Sequence, residues 1–136
     1  MTVAVDSSLL FEIIKAGSKA TQAQQALESA LARGAVCVCE TVLAELGRYF
    51  KSTQDLEQFL QACQIEYRGM TQAAAMKAAQ MVRQYTVNGG KRERVVADFL
   101  IGAHALVQAD ALLTFDACFY RGYFEGLVVL DAAEQH

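Results

Sequence analysis

Proline is absent from this chain of 136 residues, which leaves glycine and small polar pairs as its only punctuation. Apolar runs long enough to span a membrane, roughly 20 residues, are also missing, so a soluble protein without membrane association is expected. The opening stretch Met1–Asp6 (MTVAVD) has no basic region ahead of its apolar residues and carries an acid at position 6. That argues against a secretory signal and for a cytoplasmic location. Metal-binding cysteine spacing is lacking too: there is no Cys-x-x-Cys pair, and His104 and His136 are isolated. Cys37, Cys39, Cys63 and Cys118 therefore read as buried free thiols in a reducing compartment. Finally, the chain lacks an excess of positive charge, with a formal net charge of −3 and a pI near 5.3. This argues against a broad electropositive surface for nucleic acid. It does not exclude a nuclease, because carboxylates that bind a divalent ion receive their compensating charge from the ion.

What is present is a core-rich composition, 54% hydrophobic and 20% charged, of a length that suits one domain, residues 1–136. Short apolar β-branched stretches alternate with segments of helical periodicity. Residues 2–5 read as a buried strand followed by Asp6-Ser7-Ser8, and Leu9, Leu10, Ile13 and Ile14 continue as a helix that Gly17 can end. A second helix is expected over about 19–33 and a strand over 35–39, which passes directly into the helical stripe Val42, Leu43, Leu46, Tyr49 and Phe50. Further helices are expected over 53–62, about 71–85 and 95–107, with a weak strand at 65–67. Strands at 111–115 and 127–130 complete the pattern. This alternation indicates an α/β layered fold with a mostly parallel sheet.

In such a sheet the strand C-termini and helix N-termini share one edge. Asp6 and Asp116 each follow a strand, and Asp98 opens a helix. Glu45 lies at the border of a buried stripe, where a carboxylate is costly to desolvate unless it is paired or binds a cation. Oxygen-only donors suit Mg²⁺ or Mn²⁺, and such a cluster can activate water and neutralise a phosphoryl oxygen. Each acid also has a plain structural explanation. Asp6 and Asp116 can cap the helices that follow them, Asp98 can favour its helix dipole, and Glu45 can pair with Arg48. Thr114, two residues before Asp116 on a strand, can hydrogen-bond a carboxylate or a bound water, and Ser7 can do the same beside Asp6. His104 reads as packing rather than as a proton shuttle. The basic run Lys91-Arg92-Glu93-Arg94 ends one helical turn before Asp98, which makes Arg94 the candidate phosphate contact and Arg121 a weaker one.

Four segments together carry a resemblance: V-D-S-S at 5–8, E-T-V-L-A-E-L at 40–46, A-D-F-L-I-G-A-H-A at 97–105 and L-L-T-F-D-A-C-F-Y-R at 112–121. The pattern resembles a PIN domain and, within that superfamily, the VapC-type toxins of bacterial toxin–antitoxin modules. The resemblance implies a three-layer α/β/α fold with a sheet of about five strands. It assigns Asp6, Glu45, Asp98 and Asp116 to an acidic quartet that holds Mg²⁺ or Mn²⁺. It implies a metal-dependent endoribonuclease acting on RNA, commonly tRNA or rRNA, as a homodimer restrained by a cognate antitoxin protein. The alternative is a non-catalytic PIN-like module that binds RNA or protein. A phosphohydrolase with Asp6 as nucleophile fits less well, because Ser8 stands where that chemistry needs a second aspartate.

Overall fold

The computed structural model describes residues 1–90 and 96–134. Five short strands form one parallel sheet: β1 (Thr2–Val5), β2 (Ala35–Val38), β3 (Ile65–Tyr67), β4 (Ala111–Thr114) and β5 (Val129–Asp131), in spatial order β3-β2-β1-β4-β5. Val3, Val36, Leu112 and Leu113 are fully buried, as expected of a parallel sheet covered on both faces. The last strand begins two residues later than the apolar run Leu127–Leu130 predicts. The Leu127 amide instead bonds the Phe124 carbonyl, closing a turn through Gly126, whose φ of 87° suits glycine.

Among the described residues seven α-helices connect the strands: α1 (Ser7–Lys15), α2 (Ala20–Arg33), α3 (Glu40–Leu46), α4 (Thr53–Ala62), α5 (Gln72–Val87), α6 (Val96–Gln108) and α7 (Ala117–Tyr123). From β1 the chain steps to β2 and then β3 in one direction, and from β3 it crosses to β4 and then β5 in the other. Because parallel crossovers are right-handed, the reversal puts α1–α4 on one face and α5–α7 on the opposite face. It also makes the gap between β1 and β4 the switch point, where the loops leaving the sheet diverge and open a crevice.

The α5–α7 face is held by rings. Phe99 of α6 meets Phe119 edge-on at 5.5 Å between centroids, and Phe124 lies 6.2 Å away. Gly102, one turn further along α6, gives Phe124 its place, since a Cβ there would come within 2.5 Å of the ring. This packing seats the N-terminal end of α6, and with it Asp98, next to the ends of β1 and β4. Cys37 and Cys39 are buried as expected, but Cys63 is half-buried and Cys118 is exposed on the outer side of α7. Among the described residues no helix is long and apolar enough to cross a membrane.

Candidate active site at the carboxyl edge of the sheet

Asp6 follows β1 directly, and its amide bonds the Leu113 carbonyl of β4, which brings its carboxylate beside Thr114. It sits at the N-cap position of α1, yet its side chain makes no capping bond. Asp116 likewise precedes α7 without capping it. Helix capping therefore accounts for neither acid.

Hydroxyl groups occupy Asp6 instead. Thr114 Oγ1 donates to Asp6 Oδ2 at 2.7 Å and accepts from the Asp116 amide at 2.8 Å. Ser8 Oγ donates to the same oxygen at 3.1 Å and accepts from the Phe115 amide at 3.3 Å. Ser7 Oγ donates to Glu45 Oε1 at 2.9 Å, tying α3 to the start of α1 across the crevice, and lies 3.5 Å from Asp6 Oδ1. Three hydroxyls thus hold two carboxylates in place, with the β1–β4 ladder setting the register.

The electrostatics of this arrangement are unfavourable. Burial raises the Asp6 carboxyl above its ordinary value, and the charge of Asp116 raises it further, while bonds from Thr114, Ser8 and Ser7 oppose the rise. Burial also raises Glu45, followed by the field of Asp6, with Ser7 and Arg48 acting in the opposite sense. Glu45 is half-buried and faces Ser7, and among the described residues the ion pair within 4 Å is Arg68–Glu66 rather than Arg48–Glu45.

Tyr120 ties the four acids together. Its ring is 1% exposed, and its hydroxyl has no hydrogen-bond partner among the described residues. Burial pushes this phenol far above its ordinary value, and Asp6, Asp98, Asp116 and Glu45 each add to the rise. The charges of all four carboxylates thus reach one buried hydroxyl. Sequence reasoning did not single out Tyr120 or Ser8. The signal for Tyr120 is its spacing of one helical turn from Asp116, which puts both on one side of α7. Ser8 stands two residues from Asp6, where it reads as a capping hydroxyl.

Among the described residues no three carboxylate, thiol or imidazole groups stand close enough to ligate one ion directly. Arg94 and the rest of the basic run lie outside the described residues. Arg121 donates to the Val129 carbonyl at 3.2 Å, anchoring α7 to β5. His104 is buried and faces away from the acids. Its burial lowers its proton affinity, its neighbours are Arg68 and Glu40, and its Nε2 has no partner among the described residues.

Comparison with known proteins now decides the family. The PIN-domain model matches residues 3–125, a span that includes all four acids. The chain belongs to the PIN-domain family. Solved structures agree with this PIN fold. VapBC2 from Rickettsia felis, bound to a DNA fragment from its promoter, matches with a TM-score of 0.76 at 17% identity, over 96% of this chain and 98% of that one. VapBC-1 from nontypeable Haemophilus influenzae gives 0.76 at 14% identity, over 98% and 100%. DNA-bound VapBC from Salmonella typhimurium gives 0.72 at 15% identity, over 97% and 98%. At these identities the likeness is one of fold. The chain has no match among the curated proteins.

Proposed function

We propose that this PIN domain is a VapC-type toxin of a type II toxin–antitoxin module, a metal-dependent endoribonuclease restrained by a cognate antitoxin. The observation that carries the reading is the hydroxyl set Ser7, Ser8 and Thr114 holding Asp6 and Glu45 at the switch point of the sheet, where the charges of Asp98 and Asp116 also reach the buried Tyr120. Buried like charges destabilise one another unless something compensates them, and a divalent cation is the compensation this donor set suits. The likeness to VapBC structures over nearly the whole chain supports the toxin assignment and a protein partner.

The four acids would hold Mg²⁺ or Mn²⁺. Their donor set is all oxygen, which suits an ion that keeps several of its waters. Bound there, the ion supplies charge neutralisation at the scissile phosphate and an acidified water. The protein's own contribution is positioning. Thr114 and Ser8 hold one oxygen of Asp6 and leave the other directed toward Ser7. Ser7 orients Glu45 toward the crevice, and the Tyr120 ring closes its floor against water. RNA, commonly tRNA or rRNA in such systems, is the substrate, and the protein acts in the cytoplasm as a homodimer.

That no three such groups stand together as ligands of one ion among the described residues is the observation that favours the alternative, a non-catalytic PIN-like module binding RNA or protein. Purified protein incubated with mixed tRNA and rRNA separates the two readings. The nuclease reading expects cleavage with Mg²⁺ or Mn²⁺, none in EDTA and none from Asp98→Asn. Equal cleavage in EDTA refutes the metal mechanism, and binding without cleavage in either ion favours the module.

A further inference from the structure

Beside the acids lies a feature that the quartet does not explain. A shallow open pocket of about 320 Å³ is lined by Ser8, Phe11, Glu12, Lys15, Lys19 and Phe115. It adjoins the candidate site through two residues. Ser8 bonds Asp6 and the Phe115 amide, and Phe115 directly precedes Asp116. Its walls are half-buried rings with cations above them. Lys19 Nζ stands 5.3 Å from the centroid of Phe115, and Lys15 Nζ stands 5.6 Å from the centroids of both Phe11 and Tyr49. Phe11 and Tyr49 pack at 5.0 Å, joining α1 to the turn after α3.

Both lysines are exposed, and among the described residues neither is ion-paired. The carboxylate of Glu12 is turned aside and fills the space a side chain at Gly17 would need. Two unpaired cations on an acidic protein, held at an aromatic shelf beside an acidic crevice, match the chemistry of single-stranded nucleic acid. Lysines contact phosphates irrespective of sequence, and aromatic faces accept bases that are unstacked. A-form duplex keeps its bases stacked and offers the rings nothing to stack on.

From this geometry we infer that Lys15, Lys19 and Phe115 form a binding shelf for the unpaired RNA strand that flanks the scissile phosphate. Lys15 and Lys19 contact backbone phosphates, and Phe115 stacks a base. The choice of RNA as the ligand rests on the nuclease reading; the shelf itself rests on the side chains.

The test measures binding separately from cleavage. A fluorescein-labelled single-stranded RNA dodecamer is titrated in EDTA with wild type, with Lys15→Gln/Lys19→Gln and with Phe115→Leu, over 50–200 mM salt. The double variant is expected to bind on the order of tenfold more weakly, with a salt slope shallower by about 1.4, the value for two phosphate contacts on a single strand. Phe115→Leu is expected to weaken binding by about tenfold while keeping the wild-type slope, and to reduce the preference over a duplex of the same length. Circular dichroism confirms that each variant is folded. Wild type that fails to bind, or a double variant with unchanged affinity and slope, overturns the shelf. Absence of cleavage in both Mg²⁺ and Mn²⁺ by a wild type that binds through the lysines overturns the nuclease reading and leaves the shelf standing.

Discussion

The two edges of the sheet treat their acids in opposite ways. At the amino edge Asp110 Oδ2 accepts the Thr2 amide; Arg68, leaving the far end of β3, is paired with Glu66 and sends its side chain back to Thr2 Oγ1, and Gln108 bonds both the Thr71 amide and the Gly69 carbonyl. Every group there meets an opposite partner, and the contacts stitch chain segments together. At the carboxyl edge Asp6 and Glu45 are buried or half-buried with only neutral hydroxyl and amide donors on their oxygens, and burial raises the proton affinity of both, helped by the charge of Asp116 at Asp6 and by that of Asp6 at Glu45. One edge is closed by paired contacts, and at the other buried carboxylates carry raised proton affinities. A fold keeps such strain where a ligand relieves it, which is why acids at the second edge are worth reading as a site.

Substitutions at the two edges should therefore separate activity from stability. Asp116→Asn is expected to lower RNA cleavage on the order of 1,000-fold, as loss of several kcal/mol of transition-state stabilisation implies, while the metal-free fold stays as stable as wild type. Asp110→Ala should do the reverse, costing about 1 kcal/mol of stability and leaving cleavage unchanged. Cleavage assays and denaturant melts on both proteins check the pair. Equal loss of activity in both would erase the distinction between the edges.

The next largest effect lies in pH. Asp6 and Glu45 have raised folded-state pKa values, so the folded protein binds more protons than the unfolded chain between the ordinary carboxylate value, about 4, and the raised one. In EDTA their contribution to stability is present at low pH and lost as pH rises through that window. His104 has a lowered pKa and acts in the opposite direction, its contribution fading as pH falls below about 6.5. Asp6→Asn is expected to stabilise the metal-free protein at pH 7 by about 1–3 kcal/mol and to leave the histidine slope with the smaller carboxylate slope of Glu45. His104→Leu should leave only the carboxylate slope. Thermal melts in EDTA from pH 4 to 8 read both, and a wild-type profile unaltered by Asp6→Asn would mean that the burial of that acid costs nothing.

The smallest effect sharpens the role of the hydroxyl at the centre. Tyr120→Phe removes a buried donor that has no partner among the described residues, so metal-free stability should hold or rise by up to about 1 kcal/mol. Calorimetric titration with Mn²⁺ should show an affinity about three- to tenfold lower, because an ordered ion gives this hydroxyl oxygens to bond. Unchanged Mn²⁺ affinity would reduce Tyr120 to a packing residue.

The sequence by itself determined the architecture and the identity of the acids. The short apolar runs at residues 2–5, 35–39 and 111–115, and the helical periods between them, require an alternating α/β chain, and hydrophobic period alone decides that. Asp6 and Asp116 were legible as strand-end acids and Asp98 as a helix-start acid because position along an element is a local property. Other features were decided only by tertiary structure. Capping was ruled out for Asp6 and Asp116 by where their side chains turned, which depends on hydroxyls arriving from other segments. The start of β5 moved because a turn through Gly126 satisfied the Leu127 amide first. The charges of four acids reached Tyr120 only once α7 packed against α6, and Lys19 met the Phe115 ring and Lys15 the Tyr49 ring only once the segment from α1 to α2 lay beside the end of β4 and the turn after α3. Each of these depends on the free energy of burying a group next to others distant in the chain, and local periodicity carries no record of that distance.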